Sequence, residues 1–259
     1  MSRSTHSSAV YPSLKGRHVF ITGGATGIGA AMVEAFAHQG AQVSYVDVAN
    51  EAGESLSARL AAESLPKPWF RACDVKDVNA LQAAITQAMQ THGDVHALVN
   101  NVASDDRHSL ESVTADYFDE RMAINLRPAL FAIQSVVPGM KRLGGGSIIN
   151  FGSIGWKAKQ GDYPCYAMAK SAANGLTRGM AGPLGKDHIR VNTVTPGWVM
   201  TERQINLWLD EDGEQNIQRN QCLPDKLQPE YLANMVLFLA ADDSAMCTAQ
   251  EFTVDAGWT

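Results

Sequence analysis

The sequence predicts an α/β fold: a single doubly wound domain with a mostly parallel sheet and helices on both faces. Two patterns carry this expectation. Short apolar runs without polar alternation recur along the chain, as strands buried on both faces require, and stretches with helical spacing separate them. A glycine-rich turn also joins the first of these runs directly to a helix. A length of 259 residues suits one such sheet, and no repeat or Pro/Ser-rich linker divides it.

The elements follow in order. Residues 17–22 (RHVFIT) form the first expected strand, with helical spacing after it over 30–39. Residues 43–48 (VSYVDV) form the second, followed by a polar-faced helix over 51–64. Strands are expected at 69–75, 97–100, 147–151, 190–195 and 251–254. Residues 117–136 read as one helix, bent where Pro128 withdraws the N–H that would reach the carbonyl of Ile124. Residues 164–184 are helix-prone, with Pro164 suited to the first turn. The Ser-rich residues 1–13 lack an apolar segment and are expected to be a flexible tail rather than a signal peptide, leaving 14–259 as the domain.

Composition narrows the function. Lys and Arg number 21 against 27 Asp and Glu, a net charge of −6 without a basic block, so nucleic acid is not an expected partner. No apolar stretch approaches the length of a membrane span. Cys73, Cys165, Cys222 and Cys247 lie far apart with no CxxC pair, so neither a metal site nor a disulfide framework is expected and a reducing cytoplasm is the default.

The turn reads Gly23-Gly24-Ala25-Thr26-Gly27-Ile28-Gly29. Its glycines allow a phosphate to approach backbone N–H groups at the positive end of the following helix. Asp47, 18 residues past Gly29 at the end of the second strand, can accept two hydrogen bonds from an adenosine ribose and repels a 2′-phosphate. Strand, turn, helix and acid in that order point to NAD.

Tyr166 and Lys170, four apart, share a helix face. A nearby ammonium is expected to lower the phenol's pKa and make it a base. Ser153, 13 residues upstream, can hydrogen-bond a reacting oxygen. Asn125 precedes Pro128 by three residues, where a tolerated kink and a functional bend both fit. Asp105-Asp106-Arg107-His108 follows the fourth strand at the carboxyl edge of the sheet, where doubly wound folds bind ligands. Asp105 and Arg107 suit a polyhydroxylated substrate. Trp198 offers either core packing or a face for a sugar ring.

These motifs resemble the TGxxxGxG branch of the short-chain dehydrogenase/reductase family over residues 15–259, which implies a Rossmann-like fold. The resemblance implies catalytic roles for Asn125, Ser153, Tyr166 and Lys170, with Asn125 anchoring a relay water and Lys170 holding the cofactor ribose. It places Asp74 and Val75 along the adenine, Asn101 at the ribose, and Val199 and Thr201 at the nicotinamide amide. Gln204 and Trp198 fall on the segment expected to close over substrate. Ala103, Ala249 and Ala256 stand where the family usually has glycine. The DDRH cluster, INFGSIGW and VDAGWT look like the pentose 1-dehydrogenases of this family. The expectation is therefore oxidation of an aldopentose, L-arabinose before D-xylose, at C1 to the lactone with NAD, in a homotetramer. The alternatives are a dehydrogenase for a polyol, steroid or 3-hydroxyacyl alcohol, and a non-catalytic NAD sensor.

Overall fold

The computed structural model describes residues 9–259. Seven strands form one sheet, all parallel: β1 (His18–Thr22), β2 (Gln42–Asp47), β3 (Trp69–Ala72), β4 (Ala97–Asn100), β5 (Gly146–Phe151), β6 (Ile189–Pro196) and β7 (Glu251–Val254). They run in the order β3-β2-β1-β4-β5-β6-β7. Val19 pairs with Val43 on one side and Ala97 on the other, so the order reverses between β1 and β4. A crevice opens at the carboxyl ends of strands at such a point.

The helices are α1 (Gly27–His38), α2 (Asn50–Ala62), α3 (Val78–His92), α4 (Ala115–Asn125), α5 (Arg127–Arg142), α6 (Pro164–Gly185), α7 (Glu202–Trp208), α8 (Glu211–Asn220) and α9 (Pro229–Ala240). Successive β1 residues serve opposite cores. Val19 and Ile21 pack with Met32, Phe36, Val236 and Leu239 of α1 and α9, whereas Phe20 packs with Leu81 and Ile85 of α3 and Val136 of α5. On the first face α1 lies directly against α9.

All seven expected strands are present. The expected single helix over 117–136 is corrected: Leu126 leaves helical geometry at φ −132° and ψ −54°, and two helices flank it. Pro128 is therefore at the start of α5, where its missing N–H costs nothing, rather than inside a bent helix. Of the expected tail, residues 1–8 lie outside the described residues. Beyond them, the Tyr11 amide donates to Gln39 Oε1 at 2.8 Å and Leu14 is buried. Arg17 pairs with Asp242 through two bonds of 2.7 and 2.8 Å, tying the start of β1 to the end of α9. Among the described residues no helix is long and apolar enough to cross a membrane.

Candidate active site

A cleft of about 1210 Å³ runs along the carboxyl ends of the strands. It brings together Gly23, Thr26, Gly27, Ile28, Gly29, Asp47, Asp74, Val75 and Asn101 at one end. Ser153, Tyr166, Asp105, Arg107, Trp198, Val199, Thr201 and Gln204 line it too. Three residues named from the sequence stand behind this wall: Ala25, Asn125 and Lys170 are buried.

The glycine turn is as tight as its sequence implies. Gly23 and Gly27 have φ of 72° and 54°, and a Cβ on Gly29 would sit 1.7 Å from the Gly23 carbonyl oxygen. Thr26 places no side-chain oxygen on the first turn of α1, so those N–H groups carry no internal cap. That donor set fits a pyrophosphate. Asp47 is oriented by the chain itself: Oδ2 accepts from the Ala25 N–H and Oδ1 from the Ala49 N–H, both at 3.0 Å. Asn101 braces the turn, donating from Nδ2 to the carbonyl of Gly23 at 2.8 Å.

On α6, the Tyr166 phenol lies beside the Ser153 side chain, and Lys170 Nζ lies 5.9 Å from the Tyr166 ring centre. Lys170 is 3% exposed and donates to the Phe151 carbonyl at 2.9 Å. The four-residue spacing predicts that this ammonium depresses the tyrosine pKa; burial overrides it. Desolvation pushes the Tyr166 phenol up, the neighbouring Ser153 opposing it, and the same burial brings Lys170 down to about 8. Each group is driven toward its neutral form.

The break after Asn125 has a geometric consequence. The Ala129 N–H donates to the Leu126 carbonyl at 3.2 Å, and Pro128 offers no N–H, so the carbonyls of Ile124 and Asn125 lose their usual helical donors. A cavity of about 20 Å³ opens there, lined by Asn125, Asn100, Asn150 and Lys170, which is room for one water. The Asn125 side chain clasps the main chain of Ser104, accepting from its N–H at 2.8 Å and donating to its carbonyl at 3.2 Å.

The polar groups of the substrate side bind one another. Asp105 Oδ2 accepts from Gln204 Nε2 at 2.7 Å, and Oδ1 accepts from Arg203 Nε at 3.2 Å. Arg203 reaches Asp106 with its other arm at 2.6 Å. Arg107 pairs with Asp162 at 2.9 Å and is stacked between the rings of Tyr163 and Trp208, at 4.1 and 4.8 Å. The Trp198 ring lies 6.5 Å from that of Trp258, and its Nε1 is buried without a partner. Sequence reasoning missed Arg203, Asp162, Tyr163, Trp208 and Trp258 as cleft or clamp residues. Trp258 alone left a signal, inside the VDAGWT segment.

The chain has counterparts among known proteins. The family described as enoyl-(acyl carrier protein) reductase matches residues 23–259. The chain is 48% identical over 252 residues to D-xylose 1-dehydrogenase of Caulobacter vibrioides, covering 97% of this chain and 99% of that one. It is 46% identical over 250 residues to a probable galactose dehydrogenase of Rhizobium meliloti, covering 96% and 98%. A blue fluorescent protein from a metagenomic library, solved with NADPH, superposes with a TM-score of 0.86 at 34% identity, covering 95% and 99%. On the family match and these identities, the chain belongs to the short-chain dehydrogenase/reductase family.

Proposed function

We propose that this protein oxidises an aldose at C1 to the aldonolactone, with NAD as the hydride acceptor. One observation carries the reading: Ser153 and the Tyr166–Lys170 pair meet at a cleft whose other end is a phosphate cradle with an acid beside it. The identities to a D-xylose and a probable galactose dehydrogenase support a sugar as the alcohol. L-Arabinose, which has the configuration of galactose at C2 to C4 without the exocyclic carbon, and D-xylose are the pentoses proposed, in that order.

Tyr166 takes the proton of the C1 hydroxyl, and Ser153, beside it in the cleft, donates to and orients that oxygen. The nicotinamide cofactor, when bound, supplies the electrophilic carbon that accepts hydride. Gly23, Thr26, Gly27, Ile28 and Gly29 cradle its phosphates and Ala25 orients Asp47 for the adenosine ribose. Asp74 and Val75, which line the cleft, would flank the adenine, and Asn101, Val199 and Thr201 would hold the nicotinamide half. Lys170 has one donor committed to Phe151 and two left, for the ribose and for a water in the cavity at Asn125. That water gives the proton a route away from Tyr166. Asp105, Arg107, Gln204 and Trp198 form the sugar side. The family resemblance supports a cytoplasmic homotetramer.

Asp47 supports NAD over NADP even though one similar structure was solved with NADPH. Absorbance at 340 nm, with each cofactor against a panel of aldoses, polyols, steroids and 3-hydroxyacyl alcohols, tests both halves. Reduction of NAD by aldoses alone is the expected result. Turnover of a steroid or acyl alcohol without any aldose would overturn the sugar reading.

A further inference from the structure

The last residues of the chain fold back into the cleft. Beyond β7, Ala256 and Gly257 have successive left-handed φ of 56° and 82°, which reverses the chain within two residues. Asp255, itself buried, fixes the turn: its carboxylate accepts from the Gly257 N–H at 2.9 Å, the Thr259 N–H at 2.8 Å and the Thr259 hydroxyl at 3.0 Å. The Ala256 carbonyl accepts from the N–H groups of Cys222 and Leu223, at 2.9 and 3.1 Å, so the turn is also tied to the chain just after α8. The turn delivers Trp258 to the cleft lining, with its ring against Trp198.

Trp198 has nowhere to retreat. A Cβ on Gly213 of α8 would lie 2.9 Å from its Cη2, so the indole is already in contact with that helix backbone. The two indoles make an aromatic corner on the side of the cleft that β6 and β7 supply, with Val199 and Thr201 following Trp198 directly after β6. A sugar presenting C1 to Tyr166 and Ser153 points its opposite edge, C4 and C5, away from them.

We propose that Trp258 is a specificity-determining residue, closing the corner against which C5 of the sugar rests and so disfavouring an exocyclic carbon there. The proposal rests on the aldose reading above and sharpens it: Trp198 shapes the wall, and Trp258 sets the length of sugar admitted. Because backbone bonds and Asp255 hold the turn, the indole is removable without dismantling its support.

Two matched pairs isolate the exocyclic carbon. D-Galactose is L-arabinose with a CH₂OH on C5, and D-glucose is D-xylose with the same addition. Specificity constants with NAD are measured for all four sugars on the wild type, Trp258→Ala and Trp258→Phe, with a melting curve for each protein. The hexose-to-pentose ratio is expected to rise at least about tenfold in Trp258→Ala for both pairs, the scale of one carbon in an apolar pocket. Trp258→Phe should move it the same way by less, and KM for NAD should stay within about twofold in both variants. If the wild type oxidises aldoses but neither variant moves either ratio by more than about twofold, the role of Trp258 is overturned while the sugar reading stands. If the wild type oxidises no aldose, the sugar reading falls first and takes this proposal with it. Should Trp258→Ala fail to fold, Trp258→Phe decides by the same ratios.

Discussion

Asp105 and Gln204, 99 residues apart in the chain, are joined by a 2.7 Å hydrogen bond across the mouth of the cleft. Arg203, the neighbour of Gln204, holds the same carboxylate and that of Asp106. The loop after β4 is thereby fastened to α7, and Asp105 both closes the site and faces what is inside it.

Asp105→Ala should lower the specificity constant for every sugar by roughly tenfold or more, the scale of losing hydrogen bonds to a charged group. Arg203→Ala removes the fastening while leaving the carboxylate in place. Steady-state kinetics on both separates the roles: an equal fall in the two variants means that Asp105 acts only as a fastener.

Replacing Asp47 tests the cofactor half. The wild type should prefer NAD over NADP by roughly 10²-fold, since like charges face each other in the phosphate complex. Asp47→Ser should narrow that ratio chiefly by raising KM for NAD. Comparable specificity constants for both cofactors in the wild type would remove Asp47 from the argument.

Tyr166→Phe should cut turnover at least about 10²-fold, with NAD affinity, read by fluorescence titration, nearly unchanged. Because burial pushes the phenol up, its proton is lost only at alkaline pH in the free protein. Sugar specificity constants should therefore climb with pH through the alkaline range. A plateau already reached at neutral pH would contradict this account of the base.

Two alanines invite a stability test. Ala249 and Ala256 have φ of 59° and 56°, where a Cβ is strained, whereas Ala103 is not among the positive-φ residues. Ala249→Gly and Ala256→Gly should each gain roughly 0.5 kcal/mol, strain relief exceeding the entropy glycine adds to the unfolded chain. Ala103→Gly should gain nothing. Thermal melting of the three variants gives the answer directly.

His18 makes the fold sensitive to acid. Its Nδ1–H donates to the Gly93 carbonyl at 2.7 Å, so Nε2 accepts from the Ser44 hydroxyl at 2.8 Å, a pairing only the neutral ring can make. Burial lowers its pKa from 6.5 to about 4. The unfolded chain therefore binds the extra proton first. The contribution is complete above pH 6.5 and is lost as pH falls toward 4, at most about 3 kcal/mol. Urea denaturation at pH 7.5 and 4.5 should show a smaller acid loss in His18→Gln than in the wild type.

The sheet and the cofactor end were legible because each rests on local pattern. A strand buried on both faces is an apolar run, and the turn needs its glycines in order. The break at Leu126 was not, because Pro128 looks the same in a bent helix as in the first turn of a new one. α8 left little signal either, since only Gly213 and Ile217 of its ten residues are buried. The charges on Tyr166 and Lys170 depend on how deeply both are buried, which a four-residue spacing does not contain. Arg107 read as a free donor, and only the fold shows Asp162, Tyr163 and Trp208 already around it.

The pairing of α1 with α9 has a further cost during synthesis. The ribosome makes Met32, Val33 and Phe36 some two hundred residues before Leu232, Val236 and Leu239, the side chains that cover them. For most of translation the nascent chain carries an uncovered apolar helix beside a half-built sheet, the state in which unfinished α/β chains aggregate. Expression yield should therefore depend on the speed of elongation and the supply of chaperones more than on the stability of the finished fold.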